Sequence, residues 1–187
     1  MITITNLSKA YGKQLVLEDL NLSFEKGRAY GIVGANGAGK TTLFRCIAGL
    51  ESYQGEIQSL VNPLKDQLGF LETNPWFFSH ITGREYLRLL CQARRVPLPD
   101  LDEKNIFELP LNRYAQHYSG GMKKKLAFTA LLLQKNEVFI LDEPFNGVDI
   151  QSNILITEIL RHLRSIGKTL LISSHIFSTL QDTCDEI

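Results

Sequence analysis

The order of elements predicts an α/β fold built on a mostly parallel sheet. Three observations carry that expectation. Short apolar runs alternate with helical patterns along the chain. A glycine-rich segment joins one such run to a helix. A second apolar run, Val138-Phe139-Ile140-Leu141, ends abruptly in two acids. Ile2 to Leu7 alternates apolar and polar residues as a strand does, and Leu15 to Phe24 does the same. Tyr30-Gly31-Ile32-Val33 is nearly continuous in apolar character, as a strand covered on both faces needs. Thr41 to Leu50 has helical spacing, with Gly49 near its end. Gly55-Glu56-Ile57 and Leu68 to Leu71 read as further strands.

The stretch from about 75 to 134 is helical in pattern. Thr82 with Glu85 three residues on is a capping box, opening a helix that runs to Arg95. Val96-Pro97-Leu98-Pro99 breaks it. A second helix is expected over Leu101 to Leu109 and a third over Gly121 to Leu133. Val138 to Leu141 is a buried strand. Asp149 caps a long amphipathic helix that ends at Gly167, and Thr169 to Ser173 is the last strand. The strand-rich start and the helical middle read as attachments to one core, a single domain over residues 1–187.

The chain has 187 residues, with 20 basic and 20 acidic side chains. That balance disfavours a protein whose main business is coating nucleic acid or an anionic membrane. A span needs about 18 or more apolar residues in a row, and none occurs. Met1-Ile2-Thr3-Ile4-Thr5 lacks the flank and apolar stretch of a signal peptide, so none is expected. A membrane role is therefore expected to run through a partner. Cys46, Cys91 and Cys184 share no metal-ligand spacing and read as small buried hydrophobes.

Gly34-Ala35-Asn36-Gly37-Ala38-Gly39-Lys40-Thr41 matches G-x-x-x-x-G-K-[ST], after a strand and opening a helix. Its backbone N–H groups and the helix N-terminus suit phosphate oxygens. Lys40 brings a charge to the β- and γ-phosphates, and the Thr41 hydroxyl can ligate Mg²⁺. Asp142 at its strand end can hold Mg²⁺ through water, and Glu143 could polarise an attacking water. Ser119-Gly120-Gly121, after Tyr118, opens a helix and permits close backbone approach to an anion; an ordinary capped helix start would look the same. Lys123-Lys124-Lys125 reads as a solvated face. His175 follows a strand end and could reach a γ-phosphate. His80, His117 and His162 show no ligand spacing.

These residues together resemble the nucleotide-binding domain of ATP-binding cassette (ABC) proteins over essentially the whole chain. Gly34 to Thr41 resembles Walker A, Val138 to Glu143 Walker B with its catalytic glutamate, and Tyr118 to Met122 the signature usually written LSGGQ. Gly147-Val148-Asp149 resembles the D-loop and His175 the switch histidine. Tyr11 falls where the family places an aromatic that stacks on adenine, with Val16 lining the same pocket. The resemblance implies a P-loop NTPase core, an N-terminal antiparallel β-subdomain and a small α-helical signature subdomain. It implies ATP and Mg²⁺ as cofactors and nucleotide contacts from Gly34, Ala35, Asn36, Gly37, Ala38, Gly39, Lys40, Thr41 and Thr42. Ser119, Gly120, Gly121 and Asp149 would reach the nucleotide of a second such domain, because in this family two domains dock head to tail. That second domain would be identical or a paralogue.

Three departures stand out. Where the family places a glutamine after a strand, the chain reads Phe70-Leu71-Glu72-Thr73-Asn74-Pro75, and Glu72 is expected as catalytic and metal-ligating in its stead. The signature begins with Tyr118 and ends with Met122. The chain stops at Ile187, where the family continues with further strands and a helix, and the segment between Glu72 and Ser119 is short, as in a compact bacterial-type module. The implied function is the ATP-hydrolysing subunit of a transporter, lying in the cytoplasm on the inner face of the cell membrane through a membrane-spanning subunit. Trp76-Phe77-Phe78 suits contact with that subunit, or else packs the helical subdomain. The alternative is a switch on the ribosome or DNA; such proteins usually carry two cassettes or a coiled-coil insert, and direct nucleic-acid binding is not expected here.

Overall fold

The computed structural model describes residues 1–187. Seven strands form two sheets. β1 (Ile2–Tyr11) lies between β2 (Gln14–Phe24) and β4 (Gln54–Ser59), antiparallel to both. β3 (Ala29–Val33), β5 (Leu68–Leu71), β6 (Val138–Asp142) and β7 (Thr169–Ser174) form a parallel sheet in the order β3-β7-β6-β5. The register sets Val33 opposite Ser174, Asp142 opposite Ser173 and Leu71 opposite Leu141. All four strands therefore end at one edge. The segments leaving that edge begin with Gly34, Glu72, Glu143 and His175.

Period-two alternation divides the core between the sheet's faces. Phe139, Leu141, Leu170 and Ile172 point to one side, where they join α3 (Gly120–Leu133), α4 (Ile150–Ser165) and Leu87 of α2 (Gly83–Ala93). Val138, Ile140 and Leu171 point to the other, where α1 (Lys40–Ile47) and the antiparallel sheet cover them with Phe44, Ile4, Leu7 and Phe24. A short α5 (Ser178–Gln181) follows β7. No helix is long and apolar enough to cross a membrane.

Local chemistry explains the helix ends. The Thr82 side chain accepts from the Glu85 N–H, and Glu85 reaches back to the Thr82 N–H at 2.8 Å, completing the capping box. Asp149 accepts from Ser152 N–H at 2.9 Å at the start of α4, and these bonds hold its carboxyl well below the usual range. Gly39, at φ 91°, opens α1 where a Cβ would meet Leu17 Cδ2 at 2.9 Å, so the loop can lie against β2 only as glycine.

Two expectations need correction. Residues 101–109 form turns, not a helix. Asp100 accepts from the Asp102 N–H, Asn105 accepts from the Leu109 N–H and donates to its carbonyl, and Glu108 has φ 52°. Local side-chain bonds of this kind compete with the helical ladder, while Leu101, Phe107 and Leu109 still reach the core. Lys123-Lys124-Lys125 is not a solvated face: Lys124 is buried and Lys125 pairs with Asp149 at 2.9 Å. The three cysteines are free, and burial pushes all three thiols up, Cys184 to about 12.

Candidate functional site

At the shared strand edge a cavity of about 350 Å³ opens between the glycine-rich loop, Thr73 and the residues after β6. Asn36, Gly37, Ala38, Gly39, Lys40, Thr41 and Thr42 line it, with Val16 from β2. Gly34 and Ala35 do not line it, and their carbonyls accept from Lys40 Nζ at 2.6 and 3.2 Å. Lys40 is 8% exposed, and its ammonium lies 3.5 Å from Glu143 Oε1.

Asp142 is the centre of the site and is fully buried. Its Oδ2 accepts from Thr41 Oγ1 and Thr73 Oγ1, each at 2.6 Å, and its Oδ1 accepts from Ser173 Oγ at 2.5 Å. Ser173 Oγ also accepts the Glu143 N–H at 2.9 Å. Glu143 sits at φ 50°, a left-handed conformation that non-glycine residues adopt where surrounding bonds impose it. Its Oε2 lies 2.9 Å from His175 Nδ1, while its buried Oε1 has no hydrogen-bond partner. The arrangement leaves one buried carboxylate oxygen without a hydrogen bond, its nearest cation the Lys40 ammonium.

Glu72 is placed otherwise than expected. Its carboxylate pairs with Arg45 at the end of α1, at 2.9 Å, and does not line the cavity. The next residue, Thr73, does. Glu72 follows β5, where the family usually has a glutamine, and its carboxyl is the feature that points to it. A basic residue at the end of α1 was the available cue that Glu72 had a different partner. Ser173 was missed as well, although two serines closing an apolar strand beside Asp142 mark a polar strand end.

Tyr11 does not line the cavity either. Lys9 Nζ sits 4.7 Å from its ring centroid, and Lys9 pairs with Glu51 at 3.0 Å. Ser119, Gly120, Gly121 and Asp149 do not line the cavity either. Ser119 Oγ accepts the Met122 N–H at 3.2 Å, and a Cβ on Gly121 would stand 2.5 Å from the Gly147 carbonyl. Lys124 Nζ donates to the carbonyls of Glu143 and Asn146 at 2.7 and 2.8 Å.

Comparison with known proteins gives consistent matches. The family model described as ABC transporter matches residues 17–146. A bacitracin transport ATP-binding protein of Enterococcus faecalis is 32% identical over 203 residues, spanning 100% of this chain. The chain spans 65% of that relative's length. A lantibiotic transport ATP-binding protein of Streptococcus pyogenes is 30% identical over 198 residues, covering 100% of this chain and 85% of its own. A solved structure of an ATP-binding subunit of an ABC transporter superposes with a TM-score of 0.83 at 28% identity, covering 98% of this chain and 83% of that one.

Ser173→Ala leaves Asp142 Oδ1 without its hydroxyl donor and the Glu143 N–H without its acceptor, both in the interior. Urea unfolding is expected to show a loss of about 1–3 kcal/mol for each unsatisfied group; an unchanged midpoint and slope would remove Ser173 from the site's framework.

Proposed function

The chain belongs to the ABC transporter family, and we propose that it binds and hydrolyses ATP to drive a separate membrane-spanning subunit, through head-to-tail docking with a second ATP-binding domain. One observation carries this reading: the partnerless Oε1 of Glu143 stands 3.5 Å from Lys40 Nζ, beside Asp142 and its threonine donors. A buried acceptor with no partner is costly unless something completes it. An attacking water between Glu143 and a γ-phosphate would do so.

Mg²⁺ fits the donor set. Thr41, Thr73 and Asp142 offer hard oxygen atoms, and no cluster of three or more His, Cys, Asp or Glu could hold an ion alone. Phosphate oxygens would complete the coordination. When bound, the ion would neutralise triphosphate charge and orient the transferred group. The chain's own residues do the rest. Loop N–H groups and the α1 N-terminus hold phosphate oxygens. Lys40 exchanges the carbonyls of Gly34 and Ala35 for phosphate. Glu143 takes the proton of the water, and His175, with its proton on Nδ1, donates to Glu143 Oε2 and orients that carboxylate.

The exposed side of the molecule supports two partners. Ser119 to Gly121 lie outside this chain's cavity, which leaves the α3 N-terminus to cap a triphosphate held by a second copy or a paralogue. Ile150 and Ile154, which follow Asp149 on α4, are exposed apolar residues. Next to Thr73, Trp76 and Phe78 are 70% and 54% exposed and stack edge to face at 4.8 Å, while Phe77 between them is buried in the core. The outer rings suit a helix of the membrane-spanning subunit. The protein would then lie on the inner face of the membrane.

Two outcomes test this. Thr73→Val is expected to raise the Mg²⁺ concentration for half-maximal ATPase activity by about three- to tenfold, the worth of one polar contact, whereas Glu72→Gln leaves it unmoved. The reverse result would return the role to Glu72. Glu143→Gln keeps size but cannot take a proton, so hydrolysis should fall by about 10²–10⁴ while ATP still binds. Gel filtration should then show a dimer with ATP and not with ADP, lost on adding Ser119→Arg. A double variant that still dimerises rules out the signature as the cross-chain contact.

A further inference from the structure

Lys124 is a buried ammonium that the proposed hydrolysis does not use. It is 4% exposed and forms no ion pair; its two acceptors are backbone carbonyls, of Glu143 and Asn146. Burial pulls its pKa down, and the nearby Glu143 and Asp142 carboxylates work against that shift. An ammonium is an expensive way to fill a core position. Its acceptors therefore matter: they are the first and last carbonyls of the turn that carries the general base.

Within the turn one backbone bond runs from the Asn146 N–H to the Glu143 carbonyl, at 3.2 Å, and Lys124 joins it at that carbonyl. Glu143 has φ 50°, and its N–H is taken by Ser173 rather than by the sheet ladder. Serine holds one side of the Glu143 peptide and Lys124 the other. Lys124 also belongs to α3, the helix that begins with the Ser119 cap. The first turns of α3 are seated on residues 143–149 at two more places. Gly121 lies against the Gly147 carbonyl with no room for a Cβ, and Lys125 pairs with Asp149. A rotation or slide of α3 must therefore carry Lys124, and with it the Glu143 carbonyl.

We propose that Lys124 is a positioning residue that couples the signature end of α3 to Glu143, holding the 143–146 turn in its productive shape when α3 is seated. The role rests on the ATPase reading above. Engagement of Ser119 by a second domain's triphosphate is then felt at this chain's own base, through one rigid helix. Lys124 does not line the cavity. It acts on the turnover step and leaves ATP binding by the glycine-rich loop alone.

The test uses the full-length protein, comparing wild type with Lys124→Met and Lys124→Gln. Met fills the space without a strong donor, and Gln restores an N–H donor without charge. Affinity for a fluorescent ATP analogue is expected to stay within about twofold in both. Misplacing a reacting group costs up to about 10²-fold, so kcat should fall about tenfold or more in Met, with KM little changed, and recover several-fold in Gln. A Met variant with wild-type kcat, one that loses affinity in step with kcat, or a Gln variant no better than Met overturns the proposal. If Met does not fold, Gln decides: reduced kcat with affinity kept supports the role, and any other pattern overturns it. Failure of both to fold makes Lys124 a core-stabilising residue and also overturns it. A wild-type chain that binds ATP without hydrolysing it overturns the ATPase reading, and this role with it.

Discussion

The fully buried carboxylate of Asp142 is the constraint on which the site depends. A buried, ionised carboxylate is costly unless its oxygens are satisfied. Here three hydroxyls satisfy them: Thr41 from α1, Thr73 from the segment after β5, and Ser173 from β7. Each donor comes from a different element. One side chain thus ties the phosphate-loop helix and two flanking strands to the end of the central strand. The parallel register does the coarse positioning, since Asp142 and Ser173 are already paired across β6 and β7. Hydrogen bonds do the fine positioning.

Charge balance extends the same logic. Lys40, Lys124, Asp142 and Glu143 are all nearly or wholly buried within one small region. Two cations and two anions share it, yet the only near pair is Lys40 with Glu143, at the long distance of 3.5 Å. Both ammonium groups are held mainly by backbone carbonyls. Such an arrangement is poised for exchange at Lys40, where phosphate can replace carbonyls. At Lys124, set deeper on α3, the same bonds brace the turn instead.

Much of this was legible in the sequence. Gly34 to Thr41 and Val138 to Glu143 carry their chemistry in consecutive residues, and the unbroken apolar run of β6 marks a strand buried on both faces. Asp149 and the Thr82–Glu85 pair announced their helices because capping is a local interaction. What stayed hidden depends on long-range geometry. Whether Glu72 or Thr73 enters the cavity turns on how the chain leaves β5 and on Arg45, 27 residues away in sequence. Lys124 reads as one lysine in a charged run until α3 is laid against the turn after β6. Residues 101–109 are a local exception: they keep helical apolar spacing but lose the helix to bonds from the Asp100 and Asn105 side chains.

The most direct test of the account is calorimetric titration of ATP into the Asp142→Asn protein, with Mg²⁺ and with a chelator. Asn keeps the size of the side chain and removes the charge around which Thr41, Thr73 and Ser173 are arranged. Without metal, the variant should bind ATP at least as well as wild type, because an anion no longer faces the triphosphate. With Mg²⁺, wild type should tighten and the variant should not. Equal tightening of both by Mg²⁺ would contradict the placement of the metal-binding edge at Asp142.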